Sequence, residues 1–232
     1  MTWSSTSSSY AVTGASCELG PSPTSLAPRL EGLRADGADA LARLLSALPE
    51  PPWDVAVAVG DPLVPMLSAL GFETYGDVVT WVASIDALKP APHVGGVTID
   101  PYRNAWTEDF QEAERLALTG TAAFGEIGQP SGYEGAEGFD AFVVARRGGR
   151  LVGFAQAQLP EGWINWMGVI PSERRRGIGR LLVAAVARSV REARGTHVGA
   201  EVDVAHAAPA MWKAVGAREK SRRVLLVHRG PR

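Results

Sequence analysis

The sequence predicts an α/β (α+β) chain, a mixed central sheet flanked by helices, on three observations. An apolar run at residues 163–170 stops at Pro171, passes through a basic Gly-x-Gly loop and enters an amphipathic stretch at 181–193, which reads as strand, tight turn and helix. Strand-length apolar runs and stretches with helical spacing alternate along most of the chain. One block of this pattern occurs twice.

Residues 2–28 are rich in Ser, Thr, Pro and Gly and predict a flexible tail over 1–25. Cys17, the single cysteine, falls there, so an unordered free thiol is expected and an intrachain disulfide is excluded. Leu41, Leu44, Leu45 and Leu48 have helical spacing, and the prolines at 49, 51 and 52 end that helix. Residues 53–59 alternate as a strand, 63–70 form a short helix closed by Gly71, and 78–82 form a strand. Lys89-Pro90-Ala91-Pro92 is a linker. Beyond it come a strand at 94–99, a helix at 107–118 with Thr107 as N-cap, and a glycine-rich loop at 120–138. Strands follow at 139–146 and 151–159, joined by Gly148-Gly149, and then at 163–170. A helix to Arg194, a strand at 197–204, a helix at 207–215 and a strand at 223–228 complete the chain.

The repeat runs without a gap at an offset of 145, with Val55 over Ala200, Met66 over Met211, Gly71 over Gly216 and Val82 over Val227. Upstream the offset is 140, and residues 34–39 lie over residues 174–179. Expected units are a degenerate half domain at 26–89 and a complete domain at 93–232. The first copy has Asp36 and Asp39 where the second has Arg176 and Gly179. Two carboxylates repel an anion, so only the second copy is expected to bind one.

That anion is a pyrophosphate on the loop's own chemistry. Glycines allow close backbone approach, the first N–H groups of a helix favour negative charge, and arginines add paired donors. The loop is not a P-loop, because no Lys-Ser/Thr follows the glycines, and it lacks the third glycine of a dinucleotide fingerprint. The whole stretch, Val169-x-Pro171, then Arg174-Arg175-Arg176-Gly177-Ile178-Gly179-Arg180, then Leu181-Leu182, resembles the acyl-CoA-binding motif of the GCN5-related N-acetyltransferases (the GNAT family). The resemblance covers residues 93–232 in full order and 26–85 as a half copy. It implies a fold whose fourth and fifth strands splay apart, an acetyl-CoA co-substrate with no metal, and transfer of acetyl to a primary amine by direct attack. Arg174, Arg175, Arg176, Gly177, Ile178, Gly179 and Arg180 would hold the pyrophosphate. Backbone of Met167, Gly168 and Val169 would pair with the pantetheine arm, and Gly168 fits a bulge that opens the ladder.

The chain departs from the family at the transfer chemistry. Trp212 stands where a tyrosine acid is common, and Ala205 where an asparagine is; indole supplies no usable proton, which leaves Trp212 a wall of the thioester pocket or a core residue. No glutamate lies within the fourth strand. Glu201, Glu161 and Asp203 are the candidate bases by strand alternation, with His206 near the same gap and Asn165 able to orient a water. The loop at 125–138, with five glycines and Tyr133, Glu126, Glu134 and Glu137, falls where the family builds its acceptor pocket.

The net charge of −2 hides an asymmetry, −7 over residues 1–100 and +5 over the rest. The arginines cluster at one loop, one helix and the terminus without interleaved aromatics, which argues for a local anionic ligand and against nucleic acid. No apolar run approaches the ~20 residues of a membrane span, and the start lacks a signal peptide's pattern, so a cytoplasmic protein is expected by default. The partner expected is a small-molecule amine, with a protein N-terminus or lysine, or a non-catalytic acyl-CoA-binding role, as alternatives. A monomer or homodimer is expected.

Overall fold

A computed structural model of the chain describes residues 8–20, 28–102, 107–118, 141–204 and 208–230. The chain divides into two compact units, residues 1–78 with 222–232, and residues 79–221. The sequence boundaries expected at 89 and 93 are therefore not where contacts divide, and the last strand belongs largely to the first unit.

In the first unit, β1 (Ser8–Val12) and β2 (Ala15–Gly20) form a hairpin through the turn at Thr13 and Gly14, where Gly14 has φ +81°. This corrects the flexible tail. The serines hid an alternation that turns Ala15 and Cys17 inward at 7% and 4% exposed, and burial pushes the Cys17 thiol pKa up, which makes it inert. β3 (Arg29–Ala35) pairs antiparallel with β2 and parallel with β4 (Trp53–Ala58). The crossover between them is α1 (Ala38–Ala47), whose Leu41 and Leu44 are fully buried. α2 (Leu63–Ala69) follows, and Gly71 beyond it has φ +89°. Residues 223–228 of β11 (Arg218–His228) pair antiparallel with β4. Leu226 from that strand is fully buried in this unit's core with Leu30, Val55, Leu67 and Phe72, and the His228 ring lies 5.3 Å from Trp53 and 5.1 Å from Phe72.

In the second unit the strand order is β6-β7-β8-β9-β10, with β5 (Glu73–Ser84) beside β10. β6 (Val97–Pro101), β7 (Ala141–Arg147), β8 (Arg150–Gln158) and β9 (Trp163–Val169) are antiparallel neighbours, and β10 (His197–Asp203) runs parallel to β9. α3 (Glu108–Leu118) packs on one sheet face, its Phe110 ring 5.2 Å from Phe154. α4 (Ile178–Glu192) packs on the other, where its Leu182 approaches Gly153. α5 (Ala208–Val215) leads through Gly216, φ +92°, into β11. The repeat is visible in element order: β3-α1-β4-α2-β5 corresponds one for one to β9-α4-β10-α5-β11. β5 contributes Val79, Trp81 and Ala83 to the second core, at 1%, 3% and 4% exposed.

Candidate functional site

The second unit opens between two strands. β9 and β10 are in register only where Trp163 faces Gly199, with Gly199 N–H donating to the Gly162 carbonyl at 3.0 Å. Beyond that point they diverge, so the β10-facing edge of Met167, Gly168 and Val169 has no strand partner. Hydrogen-bonding groups on such an edge are available to an extended ligand. The divergence begins at a bulge. Gln156 faces Trp166 and Ala157 faces Ile164, which leaves Asn165 as the extra residue of β9.

This corrects the reading of Gly168, which is regularly paired with Phe154. An added Cβ there would meet the Ala117 Cβ at 2.7 Å and the Phe154 ring at 3.0 Å, so the glycine lets α3 approach the sheet. Gly168→Ala should therefore cost about 1–3 kcal/mol of stability by overpacking, read as a lowered midpoint in chemical denaturation.

At the open end the chain turns through a short 3-10 segment (Pro171–Glu173) into α4. Arg175 and Gly177 adopt the left-handed region, φ +64° and +88°. The first helical bonds are donated by Arg180 and Leu181 N–H to the Gly177 carbonyl at 3.0 and 3.2 Å, so the earlier N–H groups of the turn face out of the helix end. The arginines divide their work. Arg174 donates to the Val169 carbonyl at 3.0 Å and the Ala117 carbonyl at 2.9 Å, clipping β9 to α3. Arg180 donates to the Pro90 carbonyl at 2.8 Å, while its Nε is buried without a partner. Arg175 and Arg176 are exposed, Arg176 at 3.4 Å from Glu173, which Arg147 also holds at 3.1 Å. Ile178 is buried and offers only its backbone. Gly179 lies beside Met167 and Met211, where an added Cβ would make ordinary contact at 3.4 Å. A left-handed turn, a helix N-terminus, exposed guanidinium groups and an orphaned buried Nε form a set that suits an anion with several oxygens.

The remaining sequence candidates separate. Glu201 and Asp203 are half-buried on the β10 face shared with Gly199, whose added Cβ would meet the Trp163 ring at 3.1 Å. Glu161 is exposed in the turn before β9, at the closed end of the two strands. Trp212 is packed in the core at 2% exposed, which favours the core reading over a wall of an open pocket. Ala205, His206 and the loop carrying Glu126, Tyr133, Glu134 and Glu137 lie outside the described residues.

One carboxylate escaped the sequence reading. Glu114 occupies the inward stripe of α3 with Phe110, Ala113 and Ala117, all four buried, and its Oε1 accepts from the Trp166 indole N–H at 2.7 Å. Burial pushes its carboxyl above the usual glutamate range, and the Trp166 hydrogen bond pulls it partly back. The signal was present in the sequence: an acid at the i+4 position of an apolar i, i+3, i+4, i+7 stripe.

In the first unit the loop equivalent to 174–179 is covered. Asp36 N–H donates to the Gly14 carbonyl at 2.8 Å, and Arg43 donates to the Thr13 carbonyl at 3.2 Å. The hairpin turn thus sits over the start of α1, and Asp39 adds a carboxylate to its first turn.

Residues 99–217, just over half of the chain, match the family model described as the acetyltransferase (GNAT) family. No curated protein matches the sequence. Among solved structures, a GCN5-related N-acetyltransferase from Sphaerobacter thermophilus shares 18% identity at a TM-score of 0.65, over 94% of this chain and 81% of that one. One from Kribbella flavida shares 19% at 0.65, over 98% and 91%. A tandem GNAT protein from the clavulanic acid biosynthesis pathway shares 14% at 0.57, over 94% and 80%. At these identities the likeness is one of fold. Among the described residues, no helix is long and apolar enough to cross a membrane, and no group of three or more His, Cys, Asp or Glu side chains could hold a metal.

Proposed function

The chain belongs to the acetyltransferase (GNAT) family, and from that premise we propose that it is an acyl-CoA-dependent N-acyltransferase moving acetyl from acetyl-CoA to a primary amine of a small molecule. The observation that carries this reading is the divergence of β9 from β10 beyond Gly199, with the left-handed turn at 174–180 at its open end. The cleft edge would pair with the pantetheine arm through Met167, Gly168 and Val169. The N–H groups before Arg180, with Arg175, Arg176 and the Nε of Arg180, would take the pyrophosphate. Arg174 supports both by holding β9 and α3 in place. Holding thioester and amine together in a site that excludes water supplies much of the rate, and a thiol of reference pKa near 8.5 leaves readily. The amine must reach the thioester uncharged, so the site needs a proton acceptor.

Thiol release from acetyl-CoA over a panel of primary amines tests the activity. Release above the rate without acceptor supports it, and acetyl-CoA binding with no turnover on any amine counts against it.

Residues 26–89 are proposed as a degenerate half copy with a structural role. Its loop is covered and carries Asp36 and Asp39, so calorimetric titration with CoA should give a stoichiometry of one per chain, unchanged by Asp39→Asn. A value of two would refute that role. Light scattering decides between monomer and homodimer.

A further inference from the structure

A buried carboxylate is costly unless something in its surroundings requires it. Glu114 is 9% exposed, and Trp166 is the hydrogen-bond partner its Oε1 has among the described residues. Trp166 directly follows the bulged Asn165 and precedes Met167, so Glu114 stands at the point where β9 leaves β10. Directly across the β8–β9 ladder from Trp166 is Gln156, 4% exposed, whose Oε1 is buried with no hydrogen-bond partner. Cross-strand partners share a sheet face, and Glu114 reaches that face from α3. One face of the bulge therefore carries a buried carboxylate held by an indole N–H and a buried amide oxygen without a hydrogen-bond partner. A primary ammonium suits both, with a positive charge for the carboxylate and an N–H donor for the amide oxygen.

Resting on the acyl-transfer reading above, we infer that Glu114 accepts the proton of the acceptor ammonium, with Trp166 orienting its carboxylate and Gln156 accepting a hydrogen bond from the same acceptor. The acceptor then lies on the α3 face of β9 at the bulge. The ammonium gives one proton to Glu114 and becomes the free amine. Its nitrogen forms the C–N bond as the acyl C–S bond breaks. The second nitrogen proton leaves with the sulfur as the free thiol, and Glu114 returns its own to water. A carboxylate raised above its usual range suits this work near neutral pH. The ionisable groups on the described elements around it are Glu108, Asp109, Glu112 and Arg115 of α3, Arg146 of β7, which pairs with Asp109, Arg150 of β8 and Arg174 of the loop; β9 carries none. The influences acting on Glu114 are its desolvation and the Trp166 hydrogen bond.

The test uses the full chain, acetyl-CoA and whichever amine of the panel is turned over. Glu114→Gln keeps the shape and an acceptor for the indole. It should lower kcat/KM by about 10²–10⁴-fold, leave CoA affinity unchanged, and unfold at the same temperature or higher, since it removes a buried charge. Trp166→Phe removes the hydrogen bond that orients the carboxyl and holds it down, so the acid limb of the pH–rate profile should move to higher pH. A Glu114→Gln enzyme within a few-fold of the parent, or an unmoved limb in Trp166→Phe, overturns the assignment. If Glu114→Gln fails to fold, the limb alone decides. If the parent binds acetyl-CoA and acetylates no amine, the acyl-transfer reading fails and takes this assignment with it.

Discussion

Replacing Gly179 with aspartate should abolish CoA binding while leaving the fold intact. Two features separate these effects. Gly179 is not in the left-handed region, and an added Cβ would make only ordinary contact with Met167 and Met211 at 3.4 Å, so the protein itself does not demand glycine. Aspartate in the first turn of a helix also complements the dipole. The substitution therefore costs little in stability, and what it disturbs is the ligand. A carboxylate about 4 Å from a phosphate charge at an effective dielectric near 20 costs about 4 kcal/mol, roughly a thousandfold in affinity. The chain contains this experiment already, since Asp39 occupies the corresponding place in the first turn of α1. Titration calorimetry beside a thermal melt checks both halves. Retained affinity would remove the loop from the CoA site, and a large drop in melting temperature would show that Gly179 is structural. Gly177→Asp would not separate the two, because Gly177 has φ +88° and its Cβ would meet Pro92 at 2.7 Å.

Much of the architecture was legible because local signals agreed with the final packing. The helix at 38–47 is marked by leucine spacing and closing prolines, and the turn at 148–149 by its glycine pair. The basic Gly-x-Gly loop announces its own chemistry. Each of these depends on residues close in sequence. What was missed depends on residues far apart. The hairpin at 8–20 reads as a polar tail until β3 and α1 give Ala15 and Cys17 something to pack against. The bulge falls at Asn165 and not at Gly168, because glycine at 168 answers to Ala117, fifty-one positions earlier. Glu114 lies in the apolar stripe of its helix, but the partner that gives it a role, the Trp166 indole, is fifty-two positions away. The candidates Glu201, Glu161 and Asp203 followed from strand alternation, which fixes a face but not what the face meets.

A chain begun at His93, the boundary the sequence suggests, should fail to fold cooperatively. The reason lies in the third strand of each copy. β5 follows β4 and α2 in sequence, yet its residues 79–84 belong to the second unit, where Val79, Trp81 and Ala83 are at most 4% exposed. Just beyond, Ile85 N–H donates to the Thr196 carbonyl at 2.9 Å and Lys89 N–H to the Val215 carbonyl at 3.0 Å. Losing a buried tryptophan alone costs about 3–5 kcal/mol, and a valine and an isoleucine beside it add several more. That total matches the whole stability of an ordinary domain, about 5–15 kcal/mol. It also exposes the β10 edge. The reverse cut is equally damaging. Ending the chain at Ser221 removes the six residues that pair with β4, the fully buried Leu226 and the His228 ring between Trp53 and Phe72. Near-UV circular dichroism and thermal melts of both shortened chains should show neither fixed aromatic packing nor a sharp transition. A 93–232 chain that melts cooperatively and binds CoA would mean that β5 is dispensable to the second unit. The degenerate copy would then be an appendage. If the cut fails as expected, the copy persists because it supplies a strand the working unit lacks, and selection on the second unit's fold is enough to retain a half that has lost its own loop chemistry.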